Sequence, residues 1–246
     1  MKYIIVIPAR LASTRLPEKP LVMIDGKSLI QRTYEQCLLA VPNEKIFVAT
    51  DAEKIANHCS ALNMNVIMTS SDCLTGTDRV AEVAQKIEAD YYINVQGDEP
   101  LINPDDIKKI VDALEHYPNE IINGYTAIDN EEDYRSLTIP KVVFKPKGEL
   151  LYMSRTAIPG NKKNTFNKSW RQVCIYAFPK KSLELFTSVT SKTTLEEEED
   201  IEILRFLELG QDVRMIAMSN ESIAVDTPDD VQKVLNRLKQ MKNNEG

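Results

Sequence analysis

Histidine is nearly absent from this chain of 246 residues, and its scarcity limits the chemistry that the protein can perform. The two histidines, His58 and His116, both lie in sequence with a helical pattern, where an imidazole at the helix surface is the common arrangement. A serine-histidine-aspartate triad, or a zinc site with several histidine ligands, has almost no residues from which to form. Any reaction that the protein catalyses therefore has to proceed without histidine.

Cysteine is also sparse, and its spacing argues against disulfides and metal sites. No C-x-x-C pair occurs, and each cysteine lies in or beside an apolar segment: Cys37, Cys59, Cys73 and Cys174. Buried reduced thiols have this pattern, so we expect a cytoplasmic protein. The apolar run in the opening MKYIIVIPAR is too short for a signal peptide, and no later run is long enough for a membrane span, so we expect no membrane association.

Positive charge is in the minority, with 30 lysines and arginines against 37 aspartates and glutamates, and the formal net charge is −7. A protein with this balance has no overall electrostatic attraction to nucleic acid or anionic lipid, and we expect no nucleic-acid partner. Any anion-binding site has to be local. The length and the 43% of hydrophobic residues predict a single domain over 1–246.

What the chain does contain is a regular alternation of short apolar runs and helical patterns. The apolar runs have the composition of buried parallel strands and lie at 3–7, 45–49, 64–68 and 91–95. The segments with helical spacing lie at 28–40, 51–62, 77–87 and 103–117. The pattern predicts a doubly wound, mostly parallel α/β fold of the Rossmann-like kind, in which ligands bind at the carboxyl ends of the strands.

From residue 120 to 180 the pattern changes to strand-like runs joined by a polar stretch with glycine and proline. We interpret this region as a mixed or antiparallel extension with a mobile loop around 160–169. Beyond it the sequence predicts a helix over 196–209, a strand over 213–218 and a final helix that begins within 226–230.

Three cations cluster in the loop directly after the first strand: Arg10, Arg15 and Lys19. Because this loop would lie at the carboxyl edge of the sheet, its cations and backbone N–H groups can converge on a polyphosphate. The glycines of a Walker loop or a dinucleotide fingerprint are missing, so the cationic side chains would hold the phosphates. A plain solvated loop is the alternative.

Two aspartates are candidates for the same sheet edge. The run YYINVQGDEPLI leads from a buried strand into Gly97, which permits close backbone approach, and Asp98. Asp226 directly precedes Thr227, which reads as a helix cap, and the cap leaves Asp226 free to point at a ligand. Carboxylates beside phosphates predict Mg2+, which is held by one or two carboxylates plus substrate phosphates. A plain turn would also explain Asp98.

A further cationic site is possible at TGTDRV, where Gly76 permits a tight loop and Arg79 begins a helix. The alternative is that Thr77 caps this helix and that Arg79 is a surface cation. The acidic tract EEEED is typical of a solvated helix start. From its region we retain three residues as candidates, because they would share one helix face: Glu199, Glu202 and Arg205.

Six motifs, taken together and in order, resemble a known family. They are IPARLASTRLPEKPL, VATD, TGTDR, NVQGDEP, YMSRTAIP and VDTPDD. Over nearly the whole chain they resemble the 3-deoxy-manno-octulosonate cytidylyltransferases, also called CMP-Kdo synthetases. The first motif alone is shared loosely with acylneuraminate cytidylyltransferases, whereas the full set is specific. The resemblance implies a nucleotidyltransferase that joins CTP to a 2-keto-3-deoxy sugar acid with Mg2+, releases pyrophosphate and acts as a homodimer. Its product would serve lipopolysaccharide biosynthesis, a capsule or another glycan.

By position, the resemblance also implies roles for individual residues. The implied nucleotide contacts are Arg10, Ser13, Arg15, Lys19, Gly76, Arg79 and Asp98. The implied metal ligands are Asp98 and Asp226, and these two form the catalytic group with Arg10 and Lys19. The implied sugar-acid contacts are Gln96, Arg155, Gln172, Tyr176 and Glu202. Residues 1–119 and 196–246 would form the nucleotide and metal half, and residues 120–195 the sugar-acid and dimerisation extension.

Two positions depart from the family pattern, because Gln172 stands where the family usually has histidine and Ile203 where it usually has glutamine. Both lie on the sugar side, so the acid can be Kdo or an analogue such as 8-amino-Kdo or a sialic-type acid. A glycosyltransferase that uses a nucleotide sugar is a second class, although the Asp-x-Asp motif common in such enzymes is missing. A non-catalytic nucleotide sensor is a third class, and it should lack a complete metal pair.

Overall fold

Strands and helices alternate along the chain in the computed structural model, which describes residues 1–13 and 15–244. The strands are β1 (Tyr3–Ala9), β2 (Met23–Ile24), β3 (Lys27–Ser28), β4 (Ile46–Thr50), β5 (Val66–Met68), β6 (Tyr91–Val95), β7 (Ile121–Ile128), β8 (Lys141–Phe144), β9 (Leu150–Ser154), β10 (Ser169–Pro179) and β11 (Val213–Ala217). The α-helices are α1 (Leu29–Leu38), α2 (Glu53–Ala61), α3 (Gly76–Lys86), α4 (Pro104–His116), α5 (Glu131–Arg135), α6 (Lys180–Thr187), α7 (Thr194–Glu199), α8 (Ile203–Glu208) and α9 (Pro228–Asn244). Short 3-10 helices span Lys19–Leu21 and Asn43–Lys45.

The central sheet has the strand order β11-β7-β10-β6-β1-β4-β5, and β8 and β9 form a hairpin attached to β10. Strand β1 pairs in parallel with β4 and β6, β4 pairs in parallel with β5, and β11 pairs in parallel with β7. Strand β10 runs antiparallel to both β6 and β7. The mostly parallel α/β fold predicted from the sequence is therefore confirmed.

The sheet is buried on both faces, which explains why its strands read as continuous apolar runs. In β1, Ile5 and Ile7 belong to the core on the side of α1, α2 and α4. Ile4 and Val6 belong to the core on the opposite side, with α3, α6 and α8. Helices cover both faces of β1. The first loop and the turn after β6 therefore leave the sheet at its edge, between the two layers of helices.

Two strands of the region predicted as an extension, 120–180, lie inside the central sheet. Strands β7 and β10 fill the positions between β11 and β6, whereas the β8–β9 hairpin is attached beside them. A bulge interrupts the β7–β10 pairing between Val173 and Tyr176. The side-chain amide of Asn123 donates to the carbonyls of Val173 and Ile175 at 3.0 and 2.8 Å and so satisfies the disrupted ladder. Sequence pattern does not separate an inserted strand from an appended one, because both are apolar runs.

The single helix predicted over 196–209 is wrong, because the chain forms α7 and α8 with a break between them. Asp200 adopts a left-handed conformation with φ of 50° and ends α7. The retained candidates Glu199, Glu202 and Arg205 therefore do not share one helix face. Arg205 is only 1% exposed, and its guanidinium contacts the Glu196 carboxylate at 2.5 and 2.7 Å, so it is a core residue.

The histidines and cysteines, which in other arrangements would have indicated a catalytic triad, a zinc site or disulfides, lie in ordinary positions. His58 is half-buried on α2, where its Nε2 lies 2.8 Å from the Ser28 hydroxyl, and His116 is exposed at the end of α4. The cysteines are unpaired, with two buried and two half-buried: Cys37 and Cys59, then Cys73 and Cys174. Over residues 1–13 and 15–244, every helix is too short or too polar to cross a membrane.

Candidate active site

The cationic loop and the Asp98 turn meet at one edge of the sheet. The loop follows β1 and the turn follows β6, and these two strands are parallel neighbours. Parallel strands end at the same edge, so both segments leave the sheet side by side. Lys19 opens the 3-10 helix that ends the loop, and it points back toward the turn. The predicted location of the loop and the turn is confirmed.

Lys19 joins the two predicted metal ligands. Its Nζ donates to Asp98 Oδ2 at 2.6 Å and to Asp226 Oδ1 at 2.9 Å. The guanidinium of Arg15 lies 3.3 Å from the same Asp226 oxygen. Burial lowers the pKa of Lys19, but the charges and hydrogen bonds of Asp98 and Asp226 outweigh burial, so its pKa is raised. The ammonium therefore stays charged between two carboxylates.

The backbone holds Asp226 beside Asp98. The N–H of Val225 donates to the Asp98 carbonyl at 2.9 Å and fixes the segment before α9 against the turn. Thr227 caps α9, because its hydroxyl accepts the Asp230 N–H at 3.4 Å. The Asp230 carboxylate in turn accepts the N–H groups of Asp226 and Thr227 at 3.2 and 3.0 Å. The cap thus uses Thr227, as predicted, together with Asp230, and leaves the Asp226 carboxylate to the site.

Gly97 allows the turn to approach β1 more closely than any other residue would. A Cβ at this position would lie 2.8 Å from the carbonyl oxygen of Pro8 in β1. The Thr33 hydroxyl of α1 donates to the Gly97 carbonyl at 3.2 Å and holds the turn from the other side. Gly97 therefore helps to position the Asp98 carboxylate, because a side chain at residue 97 would push the turn away from β1.

The donor chemistry of Asp98 and Asp226 fits Mg2+. Both carboxylates lie within hydrogen-bond distance of a single cationic atom, so they converge on one position. No group of three or more His, Cys, Asp or Glu suited to a metal occurs in the described part of the chain, residues 1–13 and 15–244. Since Mg2+ commonly takes one or two carboxylates and completes its shell with water and substrate phosphates, the pair suits a metal shared with a nucleotide.

Three further predicted site residues follow β1 or β6: Arg10 and Ser13, which are implied nucleotide contacts, and Gln96, which is an implied sugar-acid contact. Arg10 is exposed just after β1. The pKa of Asp200 is lowered chiefly by its hydrogen bond with Lys192, and the charges of Arg155 and Arg10 add smaller effects. Ser13 is half-buried, and its hydroxyl accepts the N–H of Leu16 at 3.4 Å. Gln96 is half-buried and lies against α3, where it is the nearest neighbour that a side chain at Gly76 would meet.

Glu202 occupies the N-terminus of α3. Its carboxylate accepts the N–H groups of Gly76 and Thr77 at 3.1 and 2.9 Å, and also the Thr77 hydroxyl. The helix cap is Thr75, which forms a capping box with Asp78, so the interpretation of Thr77 as the cap is wrong. Burial raises the pKa of Glu202, while its contacts with Thr77 and Gly76 oppose this effect. In this structure Glu202 therefore anchors α3, although the resemblance implies a sugar-acid contact.

Arg79 is buried, which rules out the alternative of a surface cation. It is 3% exposed, and its guanidinium donates to the Ser70 carbonyl at 3.3 Å and to the Thr69 hydroxyl. Its Nη2 lies 3.6 Å from Asp51, which directly follows β4. Arg79 thus ties α3 to the ends of β4 and β5. Asp51 was not among the predicted site residues, and its position after a strand in the VATD motif was the available signal.

Arg155 binds the backbone in this structure. Its guanidinium donates to the carbonyls of Glu199 at 2.5 Å, Asp200 at 2.9 Å and Leu137 at 3.3 Å. The side chain is 31% exposed, and its own N–H donates to the Glu199 carboxylate at 2.8 Å. The resemblance implies that this guanidinium binds the sugar carboxylate. In this structure it instead connects the end of α7 to the segment before β8.

Lys141 supports that clamp and was missed by sequence reasoning. It is fully buried, and its ammonium donates to the carbonyls of Ser136 at 2.6 Å and Ile139 at 2.7 Å and to the Arg155 carbonyl. Burial lowers the pKa of Lys141 to about 8, and the nearby charge of Arg155 adds to the shift. A lysine in an ordinary strand pattern carries no signal of such a role.

The other residues on the implied sugar side lie deeper than the sheet edge. Gln172 is 7% exposed and donates to the Asn123 side chain at 3.1 Å. Tyr176 is 9% exposed and stacks on Phe178 at a centroid distance of 5.7 Å. Ile203 is 1% exposed within the hydrophobic core. The two positions that depart from the family pattern, Gln172 and Ile203, are thus both buried.

Known proteins resemble the chain along most of its length. A family model described as cytidylyltransferase matches residues 4–216. A 3-deoxy-manno-octulosonate cytidylyltransferase of Protochlamydia amoebophila is 40% identical over 237 residues, which cover 93% of this chain and 91% of the relative. An 8-amino-3,8-dideoxy-manno-octulosonate cytidylyltransferase of Shewanella oneidensis is 34% identical over 244 residues, which cover 97% of this chain and 99% of the relative.

The fold has a similarly close match among solved structures. The structure of a CMP:2-keto-3-deoxy-manno-octonic acid synthetase complexed with CTP superimposes with a TM-score of 0.91. The two sequences are 35% identical, and the match covers 98% of this chain and 100% of the other. The architecture described above is thus shared with a protein that binds CTP.

Proposed function

The chain belongs to the cytidylyltransferase family, and on that premise we propose that it transfers CMP from CTP to the anomeric hydroxyl of Kdo, a 2-keto-3-deoxy sugar acid, and releases pyrophosphate. The observation that carries the proposal is the contact of Lys19 with Asp98 and Asp226 at the carboxyl edge of the sheet. The site therefore brings together cations that can bind a triphosphate and carboxylates that can bind its metal ion. The CTP complex of the solved relative and the names of the curated relatives support both substrates.

In the proposed reaction, the sugar hydroxyl attacks the α-phosphorus of CTP in line with the bond that breaks. Pyrophosphate leaves with the electron pair of that bond, and the hydroxyl proton is released to solvent. Arg15 and Lys19 bind the phosphates through charge-assisted hydrogen bonds and orient them for this attack. Asp98 and Asp226 would hold Mg2+, which supplies neutralisation of the negative charge that develops on the phosphates. Positioning and electrostatics do most of the work in such transfers, and the shortage of histidine is consistent with this.

The amino analogue of Kdo is the second candidate acid. The observation in its favour is the Shewanella oneidensis relative, which matches almost the whole chain. Since Gln172 and Ile203 are buried, the structure gives no reason to expect that these two departures select between the acids.

A pyrophosphate-release assay tests the proposal. The protein is incubated with CTP and Mg2+ and, in parallel, with Kdo, with 8-amino-3,8-dideoxy-manno-octulosonate, or with a nine-carbon sialic acid. We expect release with Kdo, dependent on both CTP and Mg2+. A protein that binds CTP but releases no pyrophosphate with any of the acids would be a nucleotide sensor, and the proposal would be wrong.

We further propose that the enzyme is a cytoplasmic homodimer whose product serves lipopolysaccharide biosynthesis. The unpaired cysteines support a reducing compartment. The exposed leucines Leu137 and Leu151, near and on the β8–β9 hairpin, support an interface there, because 65% and 55% of their surfaces are accessible in the single chain. Sedimentation equilibrium of the protein measures the oligomeric state directly, and a monomer at micromolar concentration would contradict the dimer.

A further inference from the structure

The Lys19 ammonium lies where a divalent cation bound by both aspartates would lie. Its Nζ is 2.6 Å from Asp98 and 2.9 Å from Asp226, and all three side chains are partly shielded, with exposures of 19%, 25% and 40%. Because Lys19 Nζ is within hydrogen-bond distance of both carboxylates, it lies at the point where the two carboxylates converge. A metal ion that used the same two oxygens would meet this ammonium at close range, and two cations at such a distance repel strongly in a partly buried site.

Lys19 has the chemistry to leave this position when a better partner arrives. Lysine carries a compact charge on a flexible four-carbon stem, so its ammonium can move while its backbone stays in the 3-10 helix. The loop that carries it also carries Arg15, whose side chain is 61% exposed and contacts the same Asp226. A triphosphate that enters this loop would offer new acceptors to both cations at the moment when they lose the aspartates.

We propose that Lys19 is an exchangeable counterion: it neutralises Asp98 and Asp226 before substrate binds, gives way to the metal ion, and moves to the phosphates of the incoming nucleotide. This inference rests on the proposed function, since it takes Mg2+ and CTP as the entering pair. It makes metal uptake dependent on the nucleotide, because displaced Lys19 lacks an anionic partner until the phosphates are present. Metal alone should therefore bind weakly, and metal with nucleotide should bind well.

A metal titration without nucleotide tests the exchange. Mn2+, a paramagnetic substitute for Mg2+, is titrated into the full chain and free Mn2+ is measured by electron paramagnetic resonance. We expect Lys19→Met to bind Mn2+ at least about tenfold more tightly than the wild type, because the competing charge is gone. Lys54→Met is the matched control, since Lys54 forms an exposed pair with Glu18 at 2.5 Å, outside the acidic pair. It should bind Mn2+ like the wild type.

Two further measurements keep the test decisive. Adding Asp98→Asn to Lys19→Met should abolish the gain, and Mn2+ should raise the melting temperature of Lys19→Met more than that of the wild type. Equal or weaker Mn2+ binding by a folded Lys19→Met variant would overturn the exchange. Pyrophosphate release by the wild type is measured separately: an active wild type with unchanged Mn2+ affinity in Lys19→Met overturns the exchange alone, whereas an inactive wild type overturns the proposed function.

Discussion

Replacing Gly97 with alanine tests how tightly the backbone positions Asp98. The new Cβ would lie 2.8 Å from the Pro8 carbonyl oxygen, about 0.6 Å closer than the 3.4 Å at which ordinary contact begins. Both atoms are anchored in backbone, one at the end of β1 and one in the turn after β6, so a side-chain rotation cannot relieve the contact. Overpacking of this kind costs about 1–3 kcal/mol. For a domain of this size that corresponds to a decrease in melting temperature of roughly 2–12 °C.

The same change should reduce activity more than stability suggests. A displacement approaching 1 Å at a catalytic site can cost about a hundredfold in rate, so we expect Gly97→Ala to lower kcat/KM at least about tenfold. The assays are thermal melting and pyrophosphate release with CTP, Mg2+ and Kdo. Gly160→Ala is the control, because the nearest atom to its new Cβ is the Ala157 carbonyl oxygen at 3.9 Å. A Gly97→Ala enzyme with wild-type melting temperature and rate would refute the reasoning.

Three other substitutions have distinct expected outcomes. Arg205→Met should lower the free energy of unfolding by about 3–5 kcal/mol in urea denaturation, because it leaves the buried Glu196 carboxylate without its partner. Ile203→Gln should cost about 1–3 kcal/mol in the same assay, because it buries an amide in the core, and the preference between Kdo and its 8-amino analogue should stay unchanged. Burial raises the pKa of Glu202 above its ordinary 4.5, so the folded state binds this proton more tightly than the unfolded chain does. Stability should therefore fall as the pH rises from 4.5 through the raised pKa, and Glu202→Gln should flatten that fall in urea denaturation measured across pH.

The centre of the site could be predicted because it depends on strand direction. Asp98 follows the buried strand β6, and a parallel sheet brings its end to the same edge as the end of β1. The cations of the first loop follow the same rule. Their charges are local in sequence, so the excess of Arg10, Arg15 and Lys19 in one loop was visible before any fold was known. Asp226 does not follow a strand; it reaches the site because the Val225 N–H donates to the Asp98 carbonyl.

The sugar side was less predictable, because its contacts depend on long-range packing. The guanidinium of Arg155 was expected to bind the carboxylate of the sugar acid, yet it donates to backbone carbonyls, including that of Asp200. That arrangement requires the left-handed break at Asp200, and an acidic tract with helical composition gives no sign of it. Lys141 likewise lies in β8, whose sequence resembles that of an ordinary edge strand. The burial of the Lys141 side chain depends on the loops that fold over it.

The most direct test of the site compares Asp98→Asn with the wild type in Mg2+-dependent pyrophosphate release from CTP and Kdo. Asp212→Asn, a change of the same chemistry at an exposed position, serves as the control. Circular dichroism establishes that all three proteins are folded. If Asp98 holds the metal on the phosphates, Asp98→Asn should lose at least about a hundredfold in rate while Asp212→Asn keeps the wild-type rate. Near-normal turnover by Asp98→Asn would contradict the assignment of Asp98 and Asp226 as the metal-binding pair.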